Sequence, residues 1–355
     1  MTQDSAKPGG RRWPTVVDLF SGSGAVTAAL RRSRFRVVAA VDNDPIACAT
    51  YRLNHPSIKM IEGDIRRVDP DAIRRKYLKG EDVDLLVVCA PCQPFSSQNR
   101  KRGVDQRSTL ILEAGRFAQA LRPKIIFFEN VPGLAAQNDL LEELKTALGE
   151  VYTLGDPERV DAADYGVPQR RIRCIMFATR NAEPPKVPEP TTPKGKRVDV
   201  FQTIGHLRAL QSGEFDKDDA LHVARKHQDI ALRRLKAIPQ NGGSRSSLPP
   251  ELALACHTEV AAGKFSDVYG RMKWEDVAPT LTTGCTDITR GRFAHPRDDR
   301  AITAREAALL QTFPPGYKFK GNGSDIQTQI GNAVPVKLVE ALTPTLRRAI
   351  SAAAA

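Results

Sequence analysis

Residues 15–32 read TVVDLFSGSGAVTAALRR, and three unlike pieces follow one another there. TVVDLF (15–20) is an apolar, β-branched run of strand length, and AVTAALRR (25–32) has the spacing of a helix. Between them, DLFSGSGA (18–25) places Gly22 and Gly24 in a turn, where bare backbone lets a ligand approach the edge of a sheet. The spacing Phe-x-Gly-x-Gly lacks the third glycine of the dinucleotide fingerprint. A nucleoside-type ligand therefore suits the turn better than a pyrophosphate, which weighs against a nicotinamide-dependent dehydrogenase on a similar sheet.

Outward from this stretch the pattern repeats. RVVAAV (36–41), VDLLVVC (83–89), KIIFFE (124–129) and IRCIMFAT (172–179) read as further strands. PIACATYRLN (45–54) and LILEAGRFAQAL (110–121) read as crossover helices. Strands alternating with helices predict an α/β fold, a doubly wound, Rossmann-like parallel sheet. Asp42 ends the second strand and Asp64 follows the third, at the carboxyl edge where open α/β sheets bind ligands. Acids there are placed to hold ribose hydroxyls and an adenine amine, and S-adenosylmethionine, with one adenosine and no diphosphate, suits the set. After Thr179, NAEPPKVPEPTTPKGKR (181–197) reads as a surface linker. The segment from there to about residue 270 shows no strand and helix alternation, only turn clusters such as PQNGGSRSS (239–247).

Lys and Arg number 53 against 41 Asp and Glu, a formal charge of +12, which favours a polyanionic partner through counterion release. No stretch has the length and apolarity of a membrane span, and the opening MTQDSAKPGGRRWP lacks a secretory apolar core, so a cytoplasmic location is expected. Six cysteines in 355 residues are too sparse for a disulfide scaffold and read as free thiols.

CAPCQPFS (89–96) sets Cys92 between two prolines just past a strand, where it is a nucleophile, half of a metal site, or a small buried residue. A thiol gains nucleophilicity beside positive charge or main-chain donors, and Pro91 and Pro94 would stiffen its backbone. A structural zinc needs a second close cysteine pair, and Cys48, Cys174, Cys256 and Cys285 supply none, so no metal is expected. Cys89, within the apolar strand, reads as core. Glu129 ends KIIFFE at the same sheet edge. QRRIR (169–173) puts Arg171 and Arg173 on one face of an extended segment.

PCQ (91–93), ENV (129–131), QRRIR (169–173) and IGNAVP (330–335), behind DLFSGSGA, resemble in their order the DNA cytosine C5-methyltransferases, over nearly the whole chain except about 181–270. The resemblance implies a methyltransferase that takes S-adenosyl-L-methionine to S-adenosyl-L-homocysteine. Cys92 would add to C6 of the cytosine, Glu129 would hold or protonate N3, Arg173 would contact O2, and Arg171 would support that pocket. The cofactor pocket would use Phe20, Gly22, Gly24, Asp42, Asn43, Asp64, Ile65, Pro91 and, from far along the chain, Asn332. A stacked cytosine is out of reach of this chemistry, so the resemblance also implies base flipping into the site. SSQNRKRGVDQRS (96–108) is similar to the loop that closes on the flipped base, and Gln93, Ser96, Arg100, Lys101 and Arg102 would meet the DNA. RMKWEDVAPTLTT (271–283) matches a further motif through Arg271 and Thr280, with Arg271 on the DNA. The expected division is a catalytic domain at 12–180, a target-recognition domain with hinge at 181–303, and a segment at 304–355 completing the first, its helix VPVKLVEALTPTLRRA packed back on that domain. The expected partner is double-stranded DNA, with the protein itself a monomer that either accompanies a cognate restriction endonuclease or acts alone as an orphan bacterial methylase. Ala90, Asp42 and Ala333 depart mildly from the commonest family residues, and none removes a reacting group.

Overall fold

Strands β1 (Thr15–Leu19), β2 (Arg36–Asp42), β3 (Lys59–Glu62), β4 (Leu85–Val88) and β5 (Ile125–Asn130) run parallel, side by side in the order β3-β2-β1-β4-β5, in the computed structural model. The structure describes residues 12–91, 106–254 and 267–353, with residues 106–108 described as backbone alone. Helices α1 (Ala25–Arg32), α2 (Pro45–Asn54), α3 (Pro70–Tyr77) and α4 (Glu113–Leu121) follow the first four strands in turn. Asp44 caps α2 by accepting from the amides of Ile46 and Ala47, and Pro45 holds the first helical position without a donor to lose. The strand order reverses between β1 and β4, so the loops after those two strands flank the crevice where such sheets bind ligands.

β1, β4 and β5 are buried at every position, as fits apolar strands covered on both faces. Val17, Leu86, Val88, Ile126 and Phe128 pack with Ala114 and Phe117 of α4 and with Leu144 of α5 (Asn138–Leu148). Side chains of this size contribute roughly 1.5–3 kcal/mol each when fully buried.

Not every strand is parallel. β6 (Tyr152–Leu154) and β8 (Ile172–Arg180) enter the sheet with β8 antiparallel to β5 and β6 antiparallel to β8, while β7 (Glu158–Asp161) also pairs with β8. The reason lies in the connection. A parallel crossover needs a dozen or more residues, usually a helix, whereas β7 is joined to β8 by a link holding only the 3-10 turn Ala162–Tyr165. Cys89 also departs from expectation: β4 stops at Val88, and Cys89 lies just beyond it, half-buried.

The chain divides into two compact units, the first made of Met1–Val160, Arg173–Glu189 and Val339–Ala355, the second of Asp161–Ile172 and Pro190–Leu338. The second unit holds α6 (Val200–Ile204), a hairpin of β9 (Phe215–Asp216) and β10 (Asp219–Val223), α7 (Asp229–Ala237), α8 (Ala304–Leu310) and α9 (Gly323–Asn332). One of its apolar clusters, Leu235, Ile238, Tyr269, Ile288, Ala294 and Ala301, is small. Buried charge organises the rest. Arg300 donates to both oxygens of Glu306 and to Asp298, each at 2.9 Å, and all three are buried. Thr303 and Glu306 form a reciprocal capping box at the start of α8, which ties the same carboxylate to the helix end. The last helix, α10 (Val336–Ala352), contributes residues from Val339 onward to the first unit, where Arg32 pairs with Glu340 and the Arg347 guanidinium lies 4.5 Å from the centre of the Phe35 ring.

Candidate active site

The glycine turn is built from residues in unusual conformations. Phe20, Gly22 and Gly24 have φ of 57°, 52° and 93°, so three of five consecutive residues are left-handed, and only Phe20 bears a side chain that resists it. A β-carbon added at Gly22 would meet nothing within 4 Å, so the side of the turn that a side chain would fill is open space. The turn is tied down by its neighbours: Ser21 donates to the Val41 carbonyl, Gly24 to Ser21, and Gly22 to Oδ2 of Asp42 at 2.8 Å. Asp42 accepts from the Asp44 amide through its other oxygen. Burial pushes the Asp42 carboxyl above the usual carboxylate range, partly offset by these amide donors. Asn43 is exposed beside it.

Asp64 caps the 3-10 turn Ile65–Arg67 and takes the Arg66 guanidinium in a bidentate ion pair, at 2.6 Å for the shortest contact. Hydrogen bonding to Arg66 holds its carboxyl down at about 2. Ile65 is buried next to it. The phenyl side of Phe20 packs against the core cluster of the sheet. An open turn, a tethered acid and a second acid form a set that fits a small molecule with a ribose and an amine.

At the far side of the switch point the antiparallel direction of β8 matters chemically. Glu129 pairs in register with Ile175 and Asn130 with Cys174, so the beginning of β8, rather than its end, lies at the carboxyl edge of β5. Arg173 is thereby brought to Glu129, with Nε 2.9 Å from Oε1, and both side chains are nearly buried. Asn130, itself buried, donates to the Ala90 carbonyl at 3.3 Å and accepts from the Val131 amide. It pins the strand-end loop two residues ahead of Cys92. Cys92, Gln93, Ser96, Arg100, Lys101 and Arg102 lie outside the described residues, as does nearly all of the stretch 96–108; Pro91, half-buried, is the last described residue before them.

The described contacts separate the two arginines that the sequence put on one face. Arg171 is buried and donates to the backbone carbonyls of Leu281, Gly331 and Ala333, at 2.7–3.0 Å, all within the second unit. It braces backbone there. Asn332 sits, exposed, at the end of α9 between two of those carbonyls. Gln169 makes a parallel brace, donating to Gln311 and accepting from the Leu281 amide.

Arg271 requires a correction. It is 1% exposed and donates to the carbonyls of Leu235, Ile238, His295, Arg297 and Asp298, with an ion pair to Asp299, so its guanidinium is committed inside the second unit rather than presented to DNA. Thr280 donates to the Arg170 carbonyl, a role inside the same unit.

One buried acid escaped the sequence reading. Asp18, in β1 directly before the turn, is fully buried, and burial raises its carboxyl to about 7. The signal was present, since a lone acid inside the apolar run TVVDLF has to be explained.

The family described as C-5 cytosine-specific DNA methylase matches residues 14–348. The Type II methylase M.HgiDII of Herpetosiphon aurantiacus is 37% identical over 340 residues, spanning 94% of this chain and 95% of its own length. The Type II methyltransferase M.PspPI of Psychrobacter sp. strain TA137 is 34% identical over 349 residues, spanning 96% of this chain and 80% of its own. Among solved structures, a candidate DNA modification methyltransferase encoded within an E. coli prophage has a TM-score of 0.74 at 22% identity, covering 95% of this chain and 99% of that one. At that identity the likeness concerns the fold.

Proposed function

This chain belongs to the C-5 cytosine-specific DNA methylase family, and on that footing we propose that it methylates a cytosine flipped out of duplex DNA through a covalent adduct at Cys92. Enzymes of the family take the methyl group from S-adenosyl-L-methionine, whose sulfonium supplies an activated carbon. Cytosine C5 is a poor nucleophile until charge is loaded onto the ring. The Cys92 thiolate forms a bond to C6, Glu129 holds the proton at N3, and the electrons of the former double bond become available at C5. After the methyl group has passed to C5, with S-adenosyl-L-homocysteine as the leaving group, loss of the C5 proton to water and departure of the Cys92 thiolate restore the ring. Arg173 holds Glu129 in place and presents its guanidinium for O2 of the base. Arg171 acts at one remove, fixing the backbone at Leu281, Gly331 and Ala333.

The cofactor would lie over the Phe20–Gly24 turn, with Asp42 toward the ribose, Asp64 and Ile65 toward the adenine, and Asn43 and Pro91 lining the remainder. Residues 12–180 and 304–355 would form the catalytic domain and 181–303 the target-recognition domain. Gln93, Ser96, Arg100, Lys101 and Arg102 would meet the DNA. The names of the relatives support a place in a type II restriction-modification system, and the reading adds to it an enzyme working as a cytoplasmic monomer. No helix among the described residues is long and apolar enough to cross a membrane.

The observation that carries this reading is the Arg173–Glu129 pair beside the Asn130-pinned loop that leads to Cys92. A duplex carrying 5-fluorocytosine at the target tests it, because fluorine cannot leave C5 as a proton does. With cofactor present, a denaturation-resistant adduct mapping to Cys92 is expected, and Cys92→Ala should form none while still binding DNA. Methylation by Cys92→Ala at the wild-type rate would end the reading.

A further inference from the structure

Of the three left-handed residues in the Phe20–Gly24 turn, Phe20 alone bears a side chain, and it makes the turn costly to hold. A residue with a side chain persists in such a conformation only where the surroundings over-determine it. Gly24 is also the N-cap of α1 and has no side chain with which to cap it. Support therefore has to come from elsewhere.

It comes from two buried hydrogen-bonded runs meeting at Tyr51 and His55 of the α2 segment. Thr27, in the first turn of α1, donates to Oδ2 of Asp18 at 2.7 Å, and its hydroxyl oxygen is 2.8 Å from the Tyr51 hydroxyl. With the Thr27 proton committed to the carboxylate, Tyr51 is the donor to Thr27. His55 packs edge-on against the Tyr51 ring, with centroids 4.9 Å apart. Its Nε2 lies 3.1 Å from the Gly24 carbonyl, which can only accept, so the proton is on Nε2 and Nδ1 is left to accept from Arg31. Asp18 and Thr27 thus bracket the turn on both sides, and His55 holds the carbonyl of its last residue. All four side chains are buried, and the second carboxyl oxygen of Asp18 has no hydrogen-bond partner among the described residues, so the acid is costly to keep there. Packing alone does not account for it.

We infer that Asp18, Thr27, Tyr51 and His55 are positioning residues for cofactor binding, holding the Phe20–Gly24 turn in the left-handed form that receives the nucleoside. The inference rests on the reading of that turn as the cofactor's seat. It assigns these groups no contact with the cofactor and no role in the adduct chemistry, so their removal should weaken cofactor binding and spare turnover at saturation.

The test uses Tyr51→Phe and Thr27→Val, which delete hydroxyls while keeping shape, Thr27→Ser as the conservative rescue, and Leu144→Ala as a core cavity on α5 outside the network. Calorimetry with S-adenosyl-L-methionine on the full chain should show Kd raised roughly five- to tenfold in Tyr51→Phe and Thr27→Val, the scale of one buried hydrogen bond. Thr27→Ser should bind as the wild type does, and kcat at saturating cofactor should stay within about twofold. Leu144→Ala should lower the melting temperature and leave Kd unchanged. Amide hydrogen exchange at Gly22–Ala25 in the free protein should quicken in Tyr51→Phe and not in Leu144→Ala. Unchanged exchange and unchanged Kd in both hydroxyl deletions would overturn the inference, as would an equal loss of affinity in Leu144→Ala. Failure of the wild type to bind the cofactor at all would instead remove the reading beneath it, and the exchange result would still decide whether the network holds the turn.

Discussion

Replacing Arg173 by Met should destabilise the first unit far more than loss of a surface charge. The guanidinium and the Glu129 carboxylate meet at 2.9 Å with side-chain exposures of 12% and 6%. For charges about 4 Å apart at an effective dielectric of about 20, their attraction is about 4 kcal/mol. Removing one member of a buried pair strands the other and typically costs about 3–5 kcal/mol, whereas replacing both costs much less than the two single losses together. A double-mutant cycle of Arg173→Met with Glu129→Gln should therefore give a coupling energy of at least about 2 kcal/mol. Urea unfolding read by hydrogen exchange of amides in the β5–β8 ladder reports this unit without averaging over the second one. Single-variant costs that add to the double-variant cost within about 0.5 kcal/mol would refute the argument, because independent sites add and a coupled buried pair cannot.

Arg271→Lys should destabilise the second unit by about 3–5 kcal/mol, since an ammonium cannot reproduce a fork that serves five carbonyls and Asp299; an unchanged melting profile with weakened DNA binding would restore Arg271 as a DNA contact. Burial lowers His55 and His295 from the ordinary imidazole value of 6.5 to about 4. At these two positions the unfolded chain then binds more protons than the folded one between those values, so each histidine contributes stability that rises with pH from about 4 to about 6.5, by at most about 3 kcal/mol, while Asp18, raised to about 7, opposes it over the same range. Chemical denaturation of the wild type and of His295→Gln across that range isolates the histidine share, and identical slopes in the two contradict it. Gly115→Ala should cost at least the about 1–3 kcal/mol of an overpacked core, because its new β-carbon would stand 2.4 Å from the Ala147 carbonyl oxygen where α4 meets α5, and calorimetric melting measures it.

The strands that were legible in the sequence are those whose apolar residues run without interruption, such as LLVV within 83–89 and IIFF within 124–129. KMIE (59–62), β3, is short and half polar, and only the acid placed after it hinted at a strand. Strand direction is a property of the connection and not of the strand, so IRCIMFAT read correctly as β and not as antiparallel. The Phe20–Gly24 turn was legible because two glycines between a strand and a helix mark a left-handed bend, while the acids at 42 and 64 stand at strand ends, where a carboxylate also serves as an ordinary cap: Asp42 accepts from Gly22 and Asp64 caps a 3-10 turn. Arginine was the poor guide. The sequence supplies five donors at Arg171, Arg173 and Arg271 alike, and only the folded structure reveals that Arg173 meets Glu129, that Arg171 serves distant main-chain carbonyls, and that Arg271 serves such carbonyls together with Asp299. The segment from 181 to 270 resisted reading because its elements are short and several of its backbone carbonyls are held by arginines beyond it, Leu235 and Ile238 by Arg271 and Leu210 by Arg300, contacts that leave no periodic trace.

The partnership of α10 with the start of the chain sets an order of events during synthesis. Arg347 donates to the Ser33 carbonyl across 314 positions, and Arg32 reaches Glu340 across 308. Closing so long a loop costs entropy that only late contacts repay, so this part of the first unit stays unfinished while the ribosome threads out the whole of the second. A nascent chain halted before residue 339 should expose the apolar flank of α1 and be a substrate for chaperones and proteases rather than a working fragment.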